Sequence, residues 1–154
     1  MHGDPQVIEV LNEVLTNELT AVNQYFLHSR MQKNWGFHKL GDYTYAESID
    51  EMKHADLLIE RLLFLEGHPN LQRLDPIRIG ESVPEQFGAD LAVEVHAVDA
   101  LRRGIVICQD QADTVTRLLL ESILTSEEEH MDYLETQISL LQSLGESQYL
   151  AMQL

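Results

Sequence analysis

Six residues that can bind metal ions recur in this sequence in two sets of three: Glu18, Glu51 and His54, then Glu94, Glu127 and His130. The second set follows the first at a constant offset of 76 positions, as 94 − 18, 127 − 51 and 130 − 54 show. The last two members of each set form a Glu-x-x-His run, which places both side chains one turn apart on one face of a helix. Two glutamates from two helices, with a Glu-x-x-His run from each of two others, form the ligand set of dinuclear iron and manganese sites. We call these six residues the candidate ligands.

The charges of the candidate ligands match those of two divalent cations. Two such cations neutralise four ionised carboxylates, whereas without metal the clustered carboxylates repel one another or take up protons. A single glutamate on a core-facing stripe is explained by a local ion pair or by a position at the rim, because glutamate is seldom buried unless paired. Four glutamates and two histidines at matching positions favour a metal site instead. Oxygen donors with one imidazole per metal suit iron or manganese better than a thiolate-seeking ion.

The composition indicates a single domain that attracts cations. The chain has 154 residues, enough for one domain (1–154) with a buried core. Its net charge is −16, from 26 acidic and 10 basic residues, which argues against nucleic acid and anionic membrane surfaces as partners. Cys108 is the only cysteine, which excludes a disulfide framework and a cysteine-based metal module.

The sequence shows no targeting or membrane-spanning segment. Residues 1–6 have neither the basic flank nor the apolar region of a signal peptide. No stretch approaches the length of uninterrupted apolar residues that a membrane helix needs. We therefore expect a soluble, cytoplasmic protein with no membrane partner.

Hydrophobic periodicity predicts two long helices in the first half of the chain. Asp4-Pro5 is typical of a helix start, with a capping carboxylate followed by proline at the first helical position. The apolar stripe that follows also carries the first candidate ligand and predicts a helix over 5–34. A short break at Gly36 makes the next helix an antiparallel neighbour, which ends before Gly67.

The second half of the chain predicts two more long helices and a short one. Residues 82–85, Ser-Val-Pro-Glu, resemble a capping box at a helix start. The apolar stripe of this third helix reaches Cys108, and a short break at 112–113 leads into the fourth helix, which ends at Gly145. Residues 146–154 predict a short terminal helix.

The connection between the second and third helices is unusually long. It covers 67–83, 17 residues with glycine, proline and asparagine and no clear period. A connection of this length fits an overhand crossover between two parallel helices of a bundle. Within it, 76–80 is predicted as a short extended segment. The sequence thus predicts an all-α, ferritin-like four-helix bundle with a long crossover between helices 2 and 3 and a short C-terminal fifth helix.

Five stretches resemble the bacterioferritin family, and the resemblance covers the whole chain without a large insertion: 17–19, 23–30, 47–56, 65–67 and 126–130. The resemblance implies that Glu18 and Glu94 are terminal ligands of a di-iron ferroxidase centre. It also implies that Glu51 and Glu127 bridge the two irons, and that one histidine completes each iron. The non-haem ferritins of animals lack the second histidine of this site, so His130 favours the bacterioferritins.

Met52 follows Glu51 directly, and one step along a helix turns by about 100°. Met52 is therefore predicted to point away from the bundle interior, toward solvent or a neighbouring subunit, where methionine commonly fills an interface. In the bacterioferritins that the sequence resembles, this methionine and its symmetry mate ligate one haem b shared between two subunits. The resemblance implies a haem pocket lined by Leu19, Val22, Asn23, Phe26, Tyr45 and Ile49.

Three further residues are accessory candidates: Tyr25, Glu47 and Asp50. Tyr25 lies two helical turns after Glu18 (25 − 18 = 7), where it can bond a bridging carboxylate or donate an electron. Several bacterioferritins have an iron site on the inner wall of the shell, formed by a histidine at position 46 beside Asp50. This chain has Ala46 but keeps Glu47 and Asp50. This departure predicts that the di-iron centre acts as a gate: iron binds, is oxidised and moves inward to the store. The alternative is a fixed cofactor, in which the two irons stay bound and cycle. The other histidines show no paired spacing and are predicted to have surface or structural roles: His2, His28, His38, His68 and His96.

The function that follows is iron storage with ferroxidase activity. The resemblance implies oxidation of Fe(II) and storage of a ferric mineral inside a hollow shell of 24 subunits built from dimers. Haem would assist reductive release, with electrons from a ferredoxin-type donor. Positions that line cation pores in the family are Asn34, Glu66, Asp132 and Thr136. The alternatives are another di-iron carboxylate oxidase or peroxidase, which the lack of a Cys-x-x-Cys pair disfavours for a rubrerythrin, and a non-catalytic haem-binding bundle.

Overall fold

The computed structural model describes all 154 residues, and its regular secondary structure consists of five α-helices. They are α1 (Pro5–Asn34), α2 (His38–Phe64), α3 (Val83–Asp110), α4 (Thr114–Leu144) and α5 (Glu146–Ala151). The prediction of four long helices, a long connection after the second and a short fifth helix is confirmed. None of the helices has a segment long and apolar enough to cross a lipid bilayer.

Local capping signals explain where α1 and α3 begin. The Asp4 carboxylate accepts a hydrogen bond from the Gln6 N–H at 2.8 Å, which satisfies one of the unpaired donors of the first turn. At the start of α3, Ser82 Oγ accepts from the Glu85 N–H at 3.3 Å. The Glu85 carboxylate accepts from the N–H of Glu81 rather than from that of Ser82, so the capping box predicted here is displaced by one residue.

The helix directions require a crossover that spans the bundle. A turn of only three residues, 35–37, joins α1 to α2 and makes them antiparallel. Helices α1 and α3 are also antiparallel. Glu13 in the first half of α1 contacts Arg103 in the last part of α3, and Gln32 near the end of α1 contacts Gln86 near the start of α3. Because α2 and α3 both run against α1, they are parallel to each other, and the chain must return along the bundle between them. This return, residues 65–82, is the crossover.

The core consists of two apolar clusters with the candidate ligands between them. The larger cluster has members from all four long helices, among them Leu11, Leu58, Leu101 and Ile123. The smaller cluster, at the other end, is formed by Leu40, Val83, Phe87, Leu134 and Tyr149. Full burial of such side chains contributes about 1.5–3 kcal/mol each, and this offsets the cost of the buried polar layer that separates the clusters.

Three side chains of α1 attach the crossover to the bundle. They are spaced four residues apart, and each accepts a hydrogen bond from a backbone N–H group of the crossover at 3.0–3.1 Å: Thr20, Gln24 and His28. Their donors are Asp75, Arg78 and Gly80. The segment predicted as extended, 76–80, has no strand partner, and these side chains satisfy its backbone groups instead.

His28 is a buried structural residue with a defined tautomer. Its Nε2 accepts from the Gly80 N–H, so the ring proton is on Nδ1, which lies 2.9 Å from Asp90 Oδ1. Gln24 donates to the same Asp90 oxygen at 2.8 Å. The carboxylate of Asp90 therefore joins α3 to two of the α1 side chains that hold the crossover. The other four histidines predicted to have surface or structural roles are exposed: His2, His38, His68 and His96.

Candidate metal centre

The structure brings all six candidate ligands together in the buried layer between the two apolar clusters. Each of the four long helices contributes, α1 and α3 with one glutamate and α2 and α4 with a glutamate and a histidine one turn later. The four glutamates have at most 1% of their surface exposed, and the side chain of His54, the most exposed ligand, has 13%. Side chains from four rigid helices thus converge on one enclosed site.

The candidate ligands form two overlapping groups in which potential ligand atoms lie within 4.8 Å of one another. One group is Glu18, Glu51, His54 and Glu127, and the other is Glu51, Glu94, Glu127 and His130. The two glutamates of the Glu-x-x-His runs belong to both groups. This is the arrangement expected for two neighbouring metal positions that share two carboxylates, each completed by one glutamate and one histidine.

The donor atoms of these residues fit a pair of bound metal ions. Eight buried oxygen and nitrogen atoms of the candidate ligands have no hydrogen-bond partner, including both carboxylate oxygens of Glu18 and of Glu127. Some approach one another, as His130 Nδ1 does to Glu51 Oε1 at 2.8 Å, but without the alignment of a hydrogen bond. Each unpartnered buried polar atom costs about 1–3 kcal/mol. Coordination to metal ions would give all of them partners, and carboxylates with imidazoles suit iron or manganese.

Without metal, the site holds protons in place of cations. Burial disfavours the charged imidazolium, but the carboxylates of Glu127 and Glu51 outweigh it and raise the pKa of His54 to about 9. The same balance, with Glu127 and Glu47 as the main partners, raises the pKa of His130. Burial and the neighbouring Glu127 carboxylate raise the pKa of Glu94 well above its usual range. Metal binding must displace these protons.

Two of the accessory candidates contact candidate ligands directly. Tyr25 donates a hydrogen bond to Glu94 Oε1. Glu94 belongs to only one of the two groups, whereas a bridging carboxylate was predicted as the partner of Tyr25. Glu47 Oε2 lies 2.6 Å from His130 Nε2, on the side of the ring that faces away from the site. Asp50 Oδ2 lies farther from the same nitrogen, at 3.8 Å. Glu47, Asp50 and His130 form a third group of potential ligands, with His130 as its only imidazole.

A pair of tyrosines that no sequence pattern predicted lies beside this third group. The rings of Tyr43 and Tyr133 stack with centroids 3.8 Å apart and planes 20° apart. Burial and the Glu47 carboxylate raise the pKa of Tyr43, so its hydroxyl remains protonated. A cavity of about 20 Å³, space for about one water molecule, adjoins the pair and is also lined by Tyr25 and His130. The two tyrosines are 90 positions apart (133 − 43), so no local pattern signals their contact.

Met52 lies on an outer face of α2, whereas Glu51 faces the candidate metal centre. It is 48% exposed, whereas the preceding Glu51 is 1% exposed, in agreement with the predicted turn of the helix. The same face carries exposed apolar side chains of α1 and α2, namely Phe26, Tyr45 and Ile49. The rings of Phe26 and Tyr45 have centroids 6.2 Å apart. The residues that match family pore positions are also exposed: Asn34, Glu66, Asp132 and Thr136.

Comparison with known proteins shows similarity along almost the whole chain. The family model described as Ferritin, a ferritin-like domain, matches residues 8–144. The chain is 55% identical over 151 residues to Bacterioferritin BfrA of Mycobacterium tuberculosis (strain ATCC 25618 / H37Rv), with 98% of this chain and 95% of that protein covered. It is also 55% identical over 151 residues to a bacterioferritin of Streptomyces coelicolor, covering 98% and 90%. A bacterioferritin of Rhodobacter capsulatus is 51% identical over 145 residues, covering 94% and 90%.

Proposed function

Because this chain belongs to the bacterioferritin family of ferritin-like iron-storage proteins, we propose that it oxidises Fe(II) at the candidate metal centre before storing it. The observation that carries this proposal is the set of six buried ligands, which form two groups with two shared glutamates and eight unpartnered donor atoms. Such a site binds two Fe(II) ions side by side. Iron is the substrate of the reaction as well as the stored material.

The proposed roles of the ligands follow from the groups to which they belong. Glu51 and Glu127 lie in both groups and bridge the two iron positions. Glu18 with His54 completes one position, and Glu94 with His130 completes the other. Two Fe(II) ions together give two electrons to the oxidant, which with two protons converts O2 to H2O2 or H2O2 to two water molecules. The two ferric ions carry a charge of +6, so the four carboxylates offset most but not all of it. The protons that His54 and Glu94 hold in the metal-free state are released when iron binds.

The ferroxidase proposal is tested by removing one ligand from either position. Glu18→Ala and His130→Ala should give folded protein that oxidises Fe(II) at least about tenfold more slowly, since losing even an outer partner of a metal ligand costs 10–100-fold. Stopped-flow absorbance at two Fe(II) per chain measures the rate. Glu128→Ala, an exposed carboxylate next to Glu127, is the matched control. Wild-type rates in both ligand variants would rule out this site as the ferroxidase centre.

A second proposal is that Met52 ligates a haem at a two-fold interface. It is supported by an exposed thioether on the same helix as the exposed apolar side chains of Tyr45 and Ile49, which a flat apolar cofactor and a second copy of the chain would cover. The side chains that would hold the haem are Met52 and, around it, Phe26, Tyr45 and Ile49. When bound, the haem would supply an electron path for reductive release of stored iron.

The haem proposal is tested by changing the thioether alone. The wild type should show a bis-thioether absorbance spectrum at one haem per two subunits, and Met52→Leu should abolish it, because leucine has a similar volume but no donor atom. Met152→Leu, which changes an exposed methionine beyond α5, should leave the spectrum intact. A Met52→Leu protein with an unchanged spectrum would exclude this ligand.

We further propose a homo-oligomeric shell of 24 subunits built from dimers, located in the cytoplasm and reduced by a ferredoxin-type donor. The net charge of −16 supports cation uptake by such a particle. The particle mass in solution, measured with the haem absorbance of the same sample, tests the assembly. A protein that oxidises Fe(II) but retains no ferric iron would favour the alternative of another di-iron carboxylate oxidase or peroxidase. A haem-containing protein without Fe(II) oxidation would favour the non-catalytic bundle.

A further inference from the structure

The metal position that Glu94 and His130 complete, the second position, has an additional layer of partners behind its ligands. Glu94 Oε1 accepts a hydrogen bond from the Tyr25 hydroxyl, which leaves Oε2 free and unpartnered. His130 has Nε2 2.6 Å from Glu47 Oε2, with Nδ1 on the side of the shared glutamates. Both ligands that belong to this position alone are therefore held from outside, each with one donor atom directed into the site.

The metal position that Glu18 and His54 complete, the first position, lacks such a layer. Both carboxylate oxygens of Glu18 are buried without a hydrogen-bond partner. The three carboxylate contacts of His54 are all made by Nδ1, the nitrogen that faces the site. The His54 side chain is also the more exposed of the two imidazoles, at 13% against 7% for His130. Glu18 and His54 can therefore change orientation more easily than Glu94 and His130.

The sequence offset shows that this difference lies in the residues behind the ligands. The helices α2 and α4 begin 76 positions apart, at 38 and 114, as the two ligand sets do. At the same offset, Tyr25 corresponds to Leu101 (25 + 76) and Glu47 to Ile123 (47 + 76). Leu101 and Ile123 are buried and have no side-chain group that can donate or accept a hydrogen bond. The ligands are duplicated in the two halves, but the residues that hold them are not.

A carboxylate partner at the outer nitrogen of a ligating histidine, where Glu47 Oε2 lies 2.6 Å from His130 Nε2, has a known effect on metal affinity. It selects one tautomer, fixes the ring orientation and makes the inner nitrogen a better donor, and losing such a partner costs 10–100-fold in affinity. We propose that Glu47 and Tyr25 are positioning residues that make the Glu94–His130 position the tighter of the two metal positions. The proposal rests on the function proposed above, because it assumes that the six candidate ligands bind two metal ions.

Zinc provides a test that needs no variant and no turnover. Zn²⁺ accepts carboxylate and imidazole ligands and undergoes no redox reaction. In crystals of the metal-free wild-type protein given one Zn²⁺ per chain, anomalous diffraction should place most of the zinc at the Glu94–His130 position. Equal occupancy of both positions, or a preference for Glu18–His54, would overturn the proposal. Zinc bound by Glu47, Asp50 and His130 would also overturn it, because Glu47 would then be a ligand itself.

Calorimetric titration with Zn²⁺ tests the two positioning residues. The wild type should show two affinity classes, and Glu47→Ala should weaken the tighter class by about 10–100-fold while the weaker class is unchanged. Glu47→Gln should have a smaller effect, since its amide oxygen still accepts from Nε2, and Tyr25→Phe should weaken the same class. Glu129→Gln removes an exposed carboxylate next to His130 in sequence and should change neither class. Equal weakening of both classes in Glu47→Ala, or none, would refute the assignment.

The outcome also separates this inference from the proposed function. If zinc binds at neither position and Glu127→Ala takes up as much zinc as the wild type, the dinuclear centre itself is wrong. If two zinc ions bind with equal affinity, the centre stands and only the positioning roles fall. Tyr25→Phe removes a single hydroxyl group, so it provides a readout even where Glu47→Ala does not fold.

Discussion

The metal-free protein should lose stability as the pH rises from 6.5 to 9. His54 has a folded-state pKa of about 9 against 6.5 in the unfolded chain. Its stabilising charge is therefore fully present below pH 6.5 and is lost as the pH rises through 9, because the folded state binds the proton more tightly. Glu94 acts in the same direction, since its raised pKa means that the folded state keeps a proton that the unfolded chain has lost.

The difference between the folded-state and unfolded-state pKa of His54 gives the expected size of the effect. The difference between 6.5 and about 9 corresponds to roughly 3 kcal/mol at 1.36 kcal/mol per pKa unit. The His54 side chain is only 13% exposed, so solvent screens this interaction little. For a chain of this size about 3 kcal/mol shifts the unfolding midpoint by roughly 10 °C.

Thermal unfolding followed by circular dichroism, at fixed protein and salt concentration with a metal chelator, measures this fall. His54→Gln should reduce the slope, whereas His96→Gln, at an exposed histidine, should keep it. With saturating Zn²⁺ the stabilisation by metal should instead grow with pH, because the metal binds the deprotonated ligands. A stability of the metal-free protein that is constant or rises between pH 6.5 and 9 would refute the reasoning.

Three further predictions concern the crossover and the iron. His28→Ala removes the partner of the Gly80 N–H and leaves Gln24 as the remaining partner of the Asp90 carboxylate, so it should cost about 2–4 kcal/mol in the free energy of unfolding and speed amide exchange at Gly80. His68→Ala, at an exposed position, should stay within about 0.5 kcal/mol. Gly80→Ala should displace the crossover, measurable as a lower unfolding midpoint, because its Cβ would lie 2.4 Å from the backbone nitrogen of Gln86. If the dinuclear centre is a gate, crystals of the isolated protein should show low or uneven iron occupancy that Fe(II) soaking fills. Full occupancy that persists after exposure to oxygen would favour a fixed cofactor instead.

Local signals in the sequence were sufficient to predict the helices and to select the six candidate ligands that the structure brings together. Asp4 and Ser82 cap α1 and α3 as predicted, because capping depends on residues two or three positions apart. The spacing within each Glu-x-x-His run places Glu and His on one face through the helical period alone. The exposure of Met52 follows from the same period, since the next residue along a helix turns by about 100°. The constant offset of 76 positions relates each candidate ligand in the first half to one in the second, and it is visible in the sequence without the fold.

Tertiary structure alone decided which side chains stand behind the ligands. The contacts of Tyr25 with Glu94 and of His130 with Glu47 join residues 69 and 83 positions apart (94 − 25 and 130 − 47). The attachment of the crossover by His28 spans 52 positions. No helical period or capping rule relates residues so far apart, because their distance depends on how whole helices pack and on the direction in which the crossover returns. The sequence therefore predicted only a general surface or structural role for His28 and a bridging carboxylate as the partner of Tyr25, whereas the packed bundle places Tyr25 on Glu94.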